Sequence, residues 1–254
     1  MQVTPKIIAG PCSAESREQV LSTAKQLASG RIDFFRSGIW KPRTRPGAFE
    51  GAGNVALDWM LEARDKYGLK ICTEVANPEH VEAVLKKGFD MVWVGARSTA
   101  NPFTVQEISE SLKGVDIPVM IKNPTNPDLK LWIGAVERFQ NNGIRDISVI
   151  HRGFSVYEKQ RYRNNPNWQI ALDLKKELPN MPLLCDPSHI SGRRHLLFDI
   201  SQKAMDLHYD GLMIETHCNP DKALTDSKQQ ISPKELFELL EKLKLRSRGE
   251  FMDD

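Results

Sequence analysis

The chain has 254 residues, of which 40% are hydrophobic and 27% are charged, and its formal net charge is +2. This length exceeds that of a minimal domain and is typical of one α/β barrel. So small a net charge argues against a general surface for nucleic acid or membrane. No apolar run approaches the roughly 18 residues of a membrane span, and the N-terminus lacks the features of a signal peptide.

Four cysteines are widely separated along the chain and form no close-spaced framework: Cys12, Cys72, Cys185 and Cys218. That spacing is typical of reduced thiols, so we expect a cytoplasmic protein. For Cys72 and Cys185 we expect the ordinary role of a small buried apolar residue.

Short apolar runs rich in β-branched residues alternate with helix-like segments. The predicted strands lie near Lys6–Gly10, Asp33–Arg36, Lys70–Glu74, Met91–Gly95, Pro118–Lys122, Asp146–His151, Pro182–Cys185 and Gly211–Glu215. Several runs are continuously hydrophobic, as in parallel strands that are covered on both faces. Eight such units predict a single-domain (β/α)8 TIM barrel, although an open doubly wound sheet has the same periodicity.

Helix-start and helix-stop residues separate the predicted strands. Ser13 through Ala28 has helical apolar spacing, and Gly30 follows just past its end. Helix starts are also predicted where a capping residue precedes a proline, at Asn77, Asn101 and Ser232. The connections Ser37–Asn54 and Gly153–Asn167 are longer than usual loops, which favours a functional role for both.

The C-terminal end differs in composition from the rest of the chain. We expect residues 1–245 to form the catalytic barrel. Residues 246–254 are polar, and we expect them to form a tail, or else to begin a further C-terminal segment.

Metal-binding residue types fall at the ends of three predicted strands. Cys12, His189 and Glu215 come at the ends of the first, seventh and eighth apolar runs. These strands are neighbours in a closed barrel, so the three residues would meet at the rim where barrel enzymes hold their catalytic groups. Asp226, in the loop after Glu215, is a fourth candidate.

A thiolate, an imidazole and two carboxylates make a mixed ligand set. Such a set suits Mn, Fe, Co or Zn better than Mg or Ca. Taken singly, His189 is more typical of a hydrogen-bonded structural histidine, and Asp226 of a turn cap. Glu215 is harder to explain without a ligand, because a carboxylate at the end of a buried parallel strand needs a partner.

A basic residue ends each of the predicted strands 4, 5 and 6, which are also consecutive around a barrel: Arg97, Lys122 and Arg152. Three permanent cations at one rim repel each other unless an anion lies between them. Arginine binds phosphate oxygens bidentately and lysine acts as a point charge, so this rim predicts a phosphate site. A surface ion pair is the commoner role of any one strand-end arginine.

The connection after strand 2 carries a second basic cluster. It comprises Arg36, Lys41, Pro42, Arg43, Thr44, Arg45 and Pro46. Its two prolines stiffen the segment, which lowers the entropic cost of presenting the other side chains to a ligand. A solvated basic loop is the common alternative. Two phosphate-sized sites beside a metal site predict an enzyme that joins or splits two small phosphorylated molecules.

Six motifs occur in a consistent order along the chain. They are Ala9-Gly10-Pro11-Cys12-Ser13, Lys41-Pro42-Arg43-Thr44, Gly95-Ala96-Arg97, His151-Arg152-Gly153, Asp186-Pro187-Ser188-His189 followed by Gly192-Arg193-Arg194, and Met213-Ile214-Glu215-Thr216-His217. They resemble the motifs of the type I 3-deoxy-D-arabino-heptulosonate 7-phosphate (DAHP) synthases. The resemblance is closest to the subgroup that is also similar to the 3-deoxy-D-manno-octulosonate 8-phosphate synthases.

The resemblance implies a metal-dependent (β/α)8 barrel that condenses phosphoenolpyruvate with erythrose 4-phosphate, the first step of the shikimate pathway. The implied ligands of the divalent metal are Cys12, His189, Glu215 and Asp226. The implied phosphoenolpyruvate contacts are Arg97, Lys122 and Arg152. The implied sugar-phosphate loop is Lys41, Pro42, Arg43 and Thr44, supported by Arg36. We expect Lys41 to donate a proton near the aldehyde oxygen and His217 to help position the water.

Two alternatives and one departure from the family pattern accompany this resemblance. The octulosonate enzymes, which use arabinose 5-phosphate, tend to carry Lys-Ala-Asn-Arg in the strand-2 loop, so Pro42 favours erythrose 4-phosphate. After Lys122 the chain reads Asn123-Pro124, where many relatives have a further basic residue and glycine, which predicts a rearranged phosphate shell. A barrel that mainly regulates chorismate mutase is the second alternative, although all four ligands are present. Relatives commonly self-associate, so we expect a homo-oligomer, with a fused or separate chorismate mutase domain as a further partner.

Overall fold

Eight parallel strands close into a barrel in which each strand pairs with the next and β8 pairs with β1. The structure is a computed structural model that describes residues 4–41, 45, 47–158 and 160–245, so the predicted tail lies outside the described residues. The strands are β1 (Lys6–Gly10), β2 (Phe34–Arg36), β3 (Ile71–Val75), β4 (Met91–Val94), β5 (Val119–Lys122), β6 (Ile147–His151), β7 (Leu183–Cys185) and β8 (Gly211–Glu215). The predicted (β/α)8 barrel is confirmed. The alternative of an open sheet is excluded, because β1 and β8 are hydrogen-bonded neighbours.

Helices connect the strands and pack against the outside of the barrel. They are α1 (Arg17–Leu27), α2 (Val55–Tyr67), α3 (Pro78–Lys87), α4 (Ala96–Thr99), α5 (Pro102–Ser111), α6 (Leu129–Asn141), α7 (Trp168–Glu177), α8 (Pro187–Ser191), α9 (Leu197–Asp206) and α10 (Pro233–Lys242). Two short 3-10 turns, Arg194–Leu196 and Pro220–Lys222, lie in the connections on either side of β8. The last helix buries Leu236 and Leu239, as its apolar spacing predicts.

Short polar side chains fix where several helices begin. Asn77, Asn101 and Ser232 each accept a hydrogen bond from a backbone N–H of the first turn, and a proline follows each of them. These starts confirm the prediction, because such caps satisfy N–H groups that have no partner within the helix. The first helix begins later than predicted. Ser16 caps it, whereas Ser13 lies in a β-bridge to the loop after β2.

Two apolar layers surround the strands. The interior of the barrel is filled by Ile8, Phe34, Cys72, Met91, Trp93, Met120, Ile150, Leu184 and Met213. A larger layer lies between the strands and the helices, and it includes Cys185. Cys72 and Cys185 are fully buried, which confirms the apolar role expected for both thiols. Burial raises the pKa of Cys72 to about 12, so that thiol is neutral.

The described helices are short. The longest of them, α2 and α6, have 13 residues each, which gives a length of about 20 Å. Among the described residues, no helix has both the length and the apolar composition that are needed to cross a membrane.

Candidate active site

A cavity of about 450 Å³ opens at the end of the barrel where the strands have their C-termini. It is lined by Lys41, Arg45, Ala48, Glu74, Gly95, Ala96, Arg97, Lys122, Thr125, Arg152, Ser155, Arg163, His189 and Asp226. Six of these side chains are lysine or arginine and two are carboxylates, so the cavity favours anionic ligands. This is also the face on which barrel enzymes hold their catalytic groups.

The four predicted metal ligands lie close together beside this cavity. Cys12, Glu215 and Asp226 each present one atom, and these three atoms lie within 4.8 Å of one another. Nε2 of His189 lies 3.8 Å from Oε1 of Glu215. The structure therefore brings the four residues into one cluster, although 214 positions separate Cys12 from Asp226.

Barrel closure and two unusual backbone conformations position the cluster. Gly10 at the end of β1 lies opposite Glu215 at the end of β8. Its φ is +150°, and a Cβ there would lie 2.0 Å from the carbonyl oxygen of Arg36, so the close approach of β1 to β2 requires glycine. Asp226 has a φ of +49°, a left-handed conformation that aspartate tolerates better than most residues.

The charges in the cluster favour a bound cation. Burial and, after it, the neighbouring Glu215 raise the pKa of Cys12 to about 12. Burial opposes ionisation of Asp226 as well, but Arg163 and His189 outweigh it and hold the pKa of Asp226 at about 2. A divalent cation would stabilise the thiolate by direct coordination. The imidazole, the thiol and the two carboxylates therefore fit a divalent transition-metal ion.

Asp186 links a candidate metal ligand to a candidate phosphate ligand, and sequence analysis gave it no role. Its Oδ2 lies 2.8 Å from Nζ of Lys122 and 2.8 Å from Nδ1 of His189. The contact with the imidazole is close but poorly aligned, because Nδ1 makes no directed hydrogen bond. Burial would raise the pKa of Asp186, but His189 and Lys122 hold that pKa well below its usual range. The ionised carboxylate therefore fixes the position of Lys122.

The three predicted phosphate ligands all line the cavity: Arg97, Lys122 and Arg152. Lys122 and Arg152 are buried, whereas Arg97 is exposed. Burial is the main cause that lowers the pKa of Arg152 to about 10, and the nearby Arg163 and Arg97 act in the same direction. A buried guanidinium with cationic neighbours is stabilised by an anion, so this part of the cavity suits a phosphate or carboxylate group.

Arg36, at the end of β2, and Lys41, in the connection that follows, both contact the cluster of candidate metal ligands. Arg36 is buried, and it donates hydrogen bonds of 3.1 Å to Oε1 of Glu215 and to the carbonyl oxygen of Cys12. Lys41 lines the cavity, and its Nζ donates to the same carbonyl oxygen at 3.2 Å. The remaining predicted residues of this loop, Pro42, Arg43 and Thr44, lie outside the described residues.

His217 is directed away from the cavity. Its Nδ1 accepts a 2.9 Å hydrogen bond from the backbone N–H of Asn219, and its Nε2 lies 3.5 Å from Oε2 of Glu15. Among the described residues it does not line the cavity. Glu74 of β3 does line the cavity, and sequence analysis missed it. Its position at the end of a predicted strand was the available signal.

Sequence comparison matches nearly the whole chain to one family, because residues 3–248 match the DAHP synthetase I family. The phospho-2-dehydro-3-deoxyheptonate aldolase of Thermotoga maritima is 33% identical over 238 residues, which cover 94% of this chain and 68% of that protein. The 2-dehydro-3-deoxyphosphooctonate aldolase of Francisella tularensis subsp. holarctica is 25% identical over 258 residues, which cover 94% of this chain and 90% of that protein.

Solved structures agree with the sequence comparison. The crystal structure of the Thermotoga maritima DAHP synthase superposes with a TM-score of 0.82 at 31% identity, covering 93% of this chain and 67% of that chain. A truncated form of the 3-deoxy-D-arabino-heptulosonate 7-phosphate synthase from the same organism gives a TM-score of 0.79 at 29% identity, covering 93% of this chain and 84% of that chain. From its sequence match and its barrel, the chain belongs to the DAHP synthetase I family.

Proposed function

We propose that this chain condenses phosphoenolpyruvate with erythrose 4-phosphate and water, giving 3-deoxy-D-arabino-heptulosonate 7-phosphate and inorganic phosphate. This is the reaction of a 3-deoxy-7-phosphoheptulonate synthase, the enzyme class of the family, which acts in aromatic amino acid biosynthesis. One observation carries the proposal. A single cavity is lined by the three strand-end cations and by His189 and Asp226, two of the four clustered candidate metal ligands.

The cations bind phosphoenolpyruvate in this proposal. Arg97, Lys122 and Arg152 surround one part of the cavity, where they neutralise a phosphate and a carboxylate. Two anionic substrates repel each other in water, so holding both in one cationic cavity contributes several kcal/mol of the barrier lowering. Asp186 pairs with Lys122 at 2.8 Å and so restrains its ammonium group beside the cavity.

A divalent metal ion bound by the cluster, with Mn, Fe, Co or Zn as the candidates, would polarise the aldehyde oxygen of the sugar as a Lewis acid. Cys12, His189, Glu215 and Asp226 would hold it. Lys41 lies beside the cluster, and we assign to its ammonium group the proton that the aldehyde oxygen takes up. Thr44 and Arg43 remain the proposed ligands of the sugar phosphate.

Carbon–carbon bond formation joins C3 of phosphoenolpyruvate to the aldehyde carbon and leaves positive character at C2. Water then adds at C2, and the resulting hemiketal phosphate releases inorganic phosphate. We assign the orientation of that water to Glu74 rather than to His217. Glu74 lines the cavity, whereas His217 contacts Glu15 outside it.

Octulosonate synthesis from arabinose 5-phosphate is the competing reaction. Relatives with that activity in their names are 25–27% identical, below the 33% of the heptonate aldolase. Pro42 in the strand-2 loop favours the shorter sugar. A barrel that only regulates chorismate mutase is disfavoured, since the four candidate ligands are present and clustered.

The assembly and location of the protein are part of the same proposal. We propose a homo-oligomer in the cytoplasm, where the four free thiols would stay reduced. Chorismate mutase, fused or separate, is the proposed further partner. Light scattering of the chain with and without added chorismate mutase tests the homo-oligomer and the separate partner.

The experiment for the activity is a metal-replete assay of phosphoenolpyruvate loss, with erythrose 4-phosphate and arabinose 5-phosphate offered separately. We expect turnover with erythrose 4-phosphate, and its loss after chelation and in Cys12→Ala. Turnover with arabinose 5-phosphate alone would replace the proposed substrate. Absence of turnover with either sugar, despite bound metal, would favour the regulatory barrel.

A further inference from the structure

Gln229 is a buried amide that contacts two of the candidate metal ligands. It lies in the connection between β8 and α10, and only 1% of its surface is exposed. Its Nε2 donates a hydrogen bond of 2.7 Å to Oε2 of Glu215 and a longer one of 3.4 Å to Oδ2 of Asp226. No residue of the family motifs contacts both carboxylates in this way among the described hydrogen bonds.

Arg163 fixes the orientation of that amide. Nη1 of Arg163 donates a 2.7 Å hydrogen bond to Oε1 of Gln229 and lies 3.0 Å from Oδ1 of Asp226. A guanidinium only donates and an ionised carboxylate only accepts. The opposite amide orientation would place NH₂ against the guanidinium and the carbonyl oxygen against the carboxylates. The network therefore permits one arrangement, with the amide N–H groups toward the ligands.

The two carboxylates need such a support. Glu215 is held by β8, but Asp226 lies outside any strand or helix and has the left-handed φ of +49°. The atoms that they present lie within 4.8 Å of each other, so the charges repel in the absence of a cation. Gln229 donates to both carboxylates and Arg163 contacts Asp226. Neither contacts Oε1 of Glu215, which faces Arg36 and His189.

Gln230, the residue after Gln229, contacts Cys12, which is a third candidate metal ligand. Oε1 of Gln230 accepts a 3.0 Å hydrogen bond from the backbone N–H of Cys12, and its Nε2 donates to the carbonyl oxygen of Thr225 at 2.7 Å. Gln230 is fully buried. Gln229 and Gln230, which are consecutive in the β8–α10 connection, therefore hydrogen-bond to Cys12, Glu215 and Asp226 between them.

We propose that Gln229, oriented by Arg163, is a positioning residue that holds Glu215 and Asp226 in the geometry that binds a divalent cation. The inference rests on the proposed metal site. Partners that hold metal ligands in place typically change metal affinity about 10–100-fold when they are removed. The consequence is a site whose affinity depends on a residue that touches neither metal nor substrate.

The test is a titration of the metal-free full chain with Mn²⁺ by calorimetry, and with Co²⁺ by the thiolate-to-cobalt absorption band. Gln229→Met keeps the volume of the side chain but removes its donor and acceptor. We expect it to weaken Mn²⁺ binding about 10–100-fold and to shift the cobalt band. Gln169→Met, at an exposed glutamine on α7, is the matched control, and we expect no change there.

Arg163→Gln is a second test of the same inference. The Arg163 side chain is 43% exposed, so we expect this variant to fold even if the buried substitution Gln229→Met does not. We expect it to weaken Mn²⁺ binding in the same direction, because the amide of Gln229 loses its anchor. Wild-type affinity in Arg163→Gln and in folded Gln229→Met would overturn the inference while leaving the proposed function intact. A wild-type chain that binds neither ion would overturn both the inference and the metal part of the proposed function.

Discussion

Nε1 of Trp93 donates a 2.9 Å hydrogen bond to Oε2 of Glu74. Trp93 is fully buried in the barrel interior, whereas Glu74 lines the cavity. The guanidinium carbon of Arg36 lies 4.8 Å from the centre of the indole ring, and Nζ of Lys122 lies 6.0 Å from it. One interior side chain therefore contacts a carboxylate and two cations of the site, at distances where cation–π attraction operates.

We expect Trp93→Phe to lower kcat about tenfold or more. Phenylalanine keeps an aromatic face for the two cations but cannot donate to Glu74, and a hydrogen bond to a charged group contributes about 1.5–3 kcal/mol. Steady-state kinetics with each substrate varied measure the change. Trp59→Phe on α2 is the control. An unchanged kcat in Trp93→Phe would show that Glu74 does not depend on the indole.

Gly95→Ala tests the role of Glu74 by crowding its carboxylate. A Cβ at position 95 would lie 2.2 Å from Oε1 of Glu74, so the added methyl group must displace the carboxylate. We expect a loss of kcat of at least tenfold with the fold retained, measured by kinetics and circular dichroism. Gly134→Ala in α6 meets nothing within 4 Å, and we expect it to keep full activity and to gain about 0.4–1 kcal/mol of stability. Equal activity of both variants would remove Glu74 from the mechanism.

Arg152→Gln tests the phosphate site. The side chain is buried and lines the cavity, so its removal takes a charge-assisted hydrogen bond from the bound anion. Such bonds contribute about 1.5–3 kcal/mol, and we expect the KM for phosphoenolpyruvate to rise about 10–100-fold. The KM for erythrose 4-phosphate should change much less. Arg145→Gln, at an exposed arginine before β6, is the control. Equal increases in both KM values would contradict the assignment.

Metal binding should be visible in thermal stability. A ligand that binds only the folded state at 100 times its Kd stabilises it by about 2.7 kcal/mol. In a chain of this size about 1 kcal/mol shifts Tm by roughly 2–4 °C, so Mn²⁺ should raise Tm by about 5–10 °C over the chelated protein. Cys12→Ser should reduce the shift, whereas Cys218→Ser, at a half-buried thiol outside the cluster, should keep it. A metal-independent Tm in the wild type would refute the metal site.

His151 should make the fold sensitive to acid. It is fully buried, its Nε2–H donates to the carbonyl oxygen of Pro166, and its Nδ1 accepts from the hydroxyl of Tyr209. Burial is the main cause that lowers the pKa of His151 to about 4. The unfolded chain takes up the proton near pH 6.5, so this contribution to stability is full above pH 6.5. It is lost as the pH falls toward 4, by about 3 kcal/mol in total.

Urea unfolding at several pH values between 4 and 7 measures this effect. In His151→Gln the slope of unfolding free energy with pH should fall by the contribution of one proton over that window. His195→Gln, at an exposed histidine, should keep the wild-type slope. Parallel pH profiles for wild type and His151→Gln would show that the buried imidazole does not control acid stability.

The barrel and most of the site were predictable because their signals are local. Strand-end residues of a parallel barrel share one rim, so Cys12, Glu215 and Arg152 were assigned by position along their strands. The role expected for His217 came with the family resemblance and not from strand position, and among the described residues His217 does not line the cavity. Because β8 ends at Glu215, the chain turns and His217 contacts Glu15 instead.

The supporting contacts were not predictable, because they join loops whose conformations no periodicity encodes. The hydrogen bond between Cys12 and Gln230 spans 218 positions, and the one between Arg163 and Gln229 spans 66. Glutamines in a polar loop have no pattern that distinguishes a buried partner of a ligand from a solvated side chain. Asp186 was visible in its motif, but its contact with Lys122 depends on how β5 and β7 are arranged in the barrel.

Because β8 pairs with β1, the candidate site brings together residues that are synthesised first and last. Cys12 leaves the ribosome 214 residues before Asp226, a delay of roughly 10–40 s at ordinary elongation rates. Throughout that interval the nascent chain holds the thiol without either carboxylate, so the ligand set is incomplete. Complete coordination of the proposed metal ion therefore requires that the first and last strands have met.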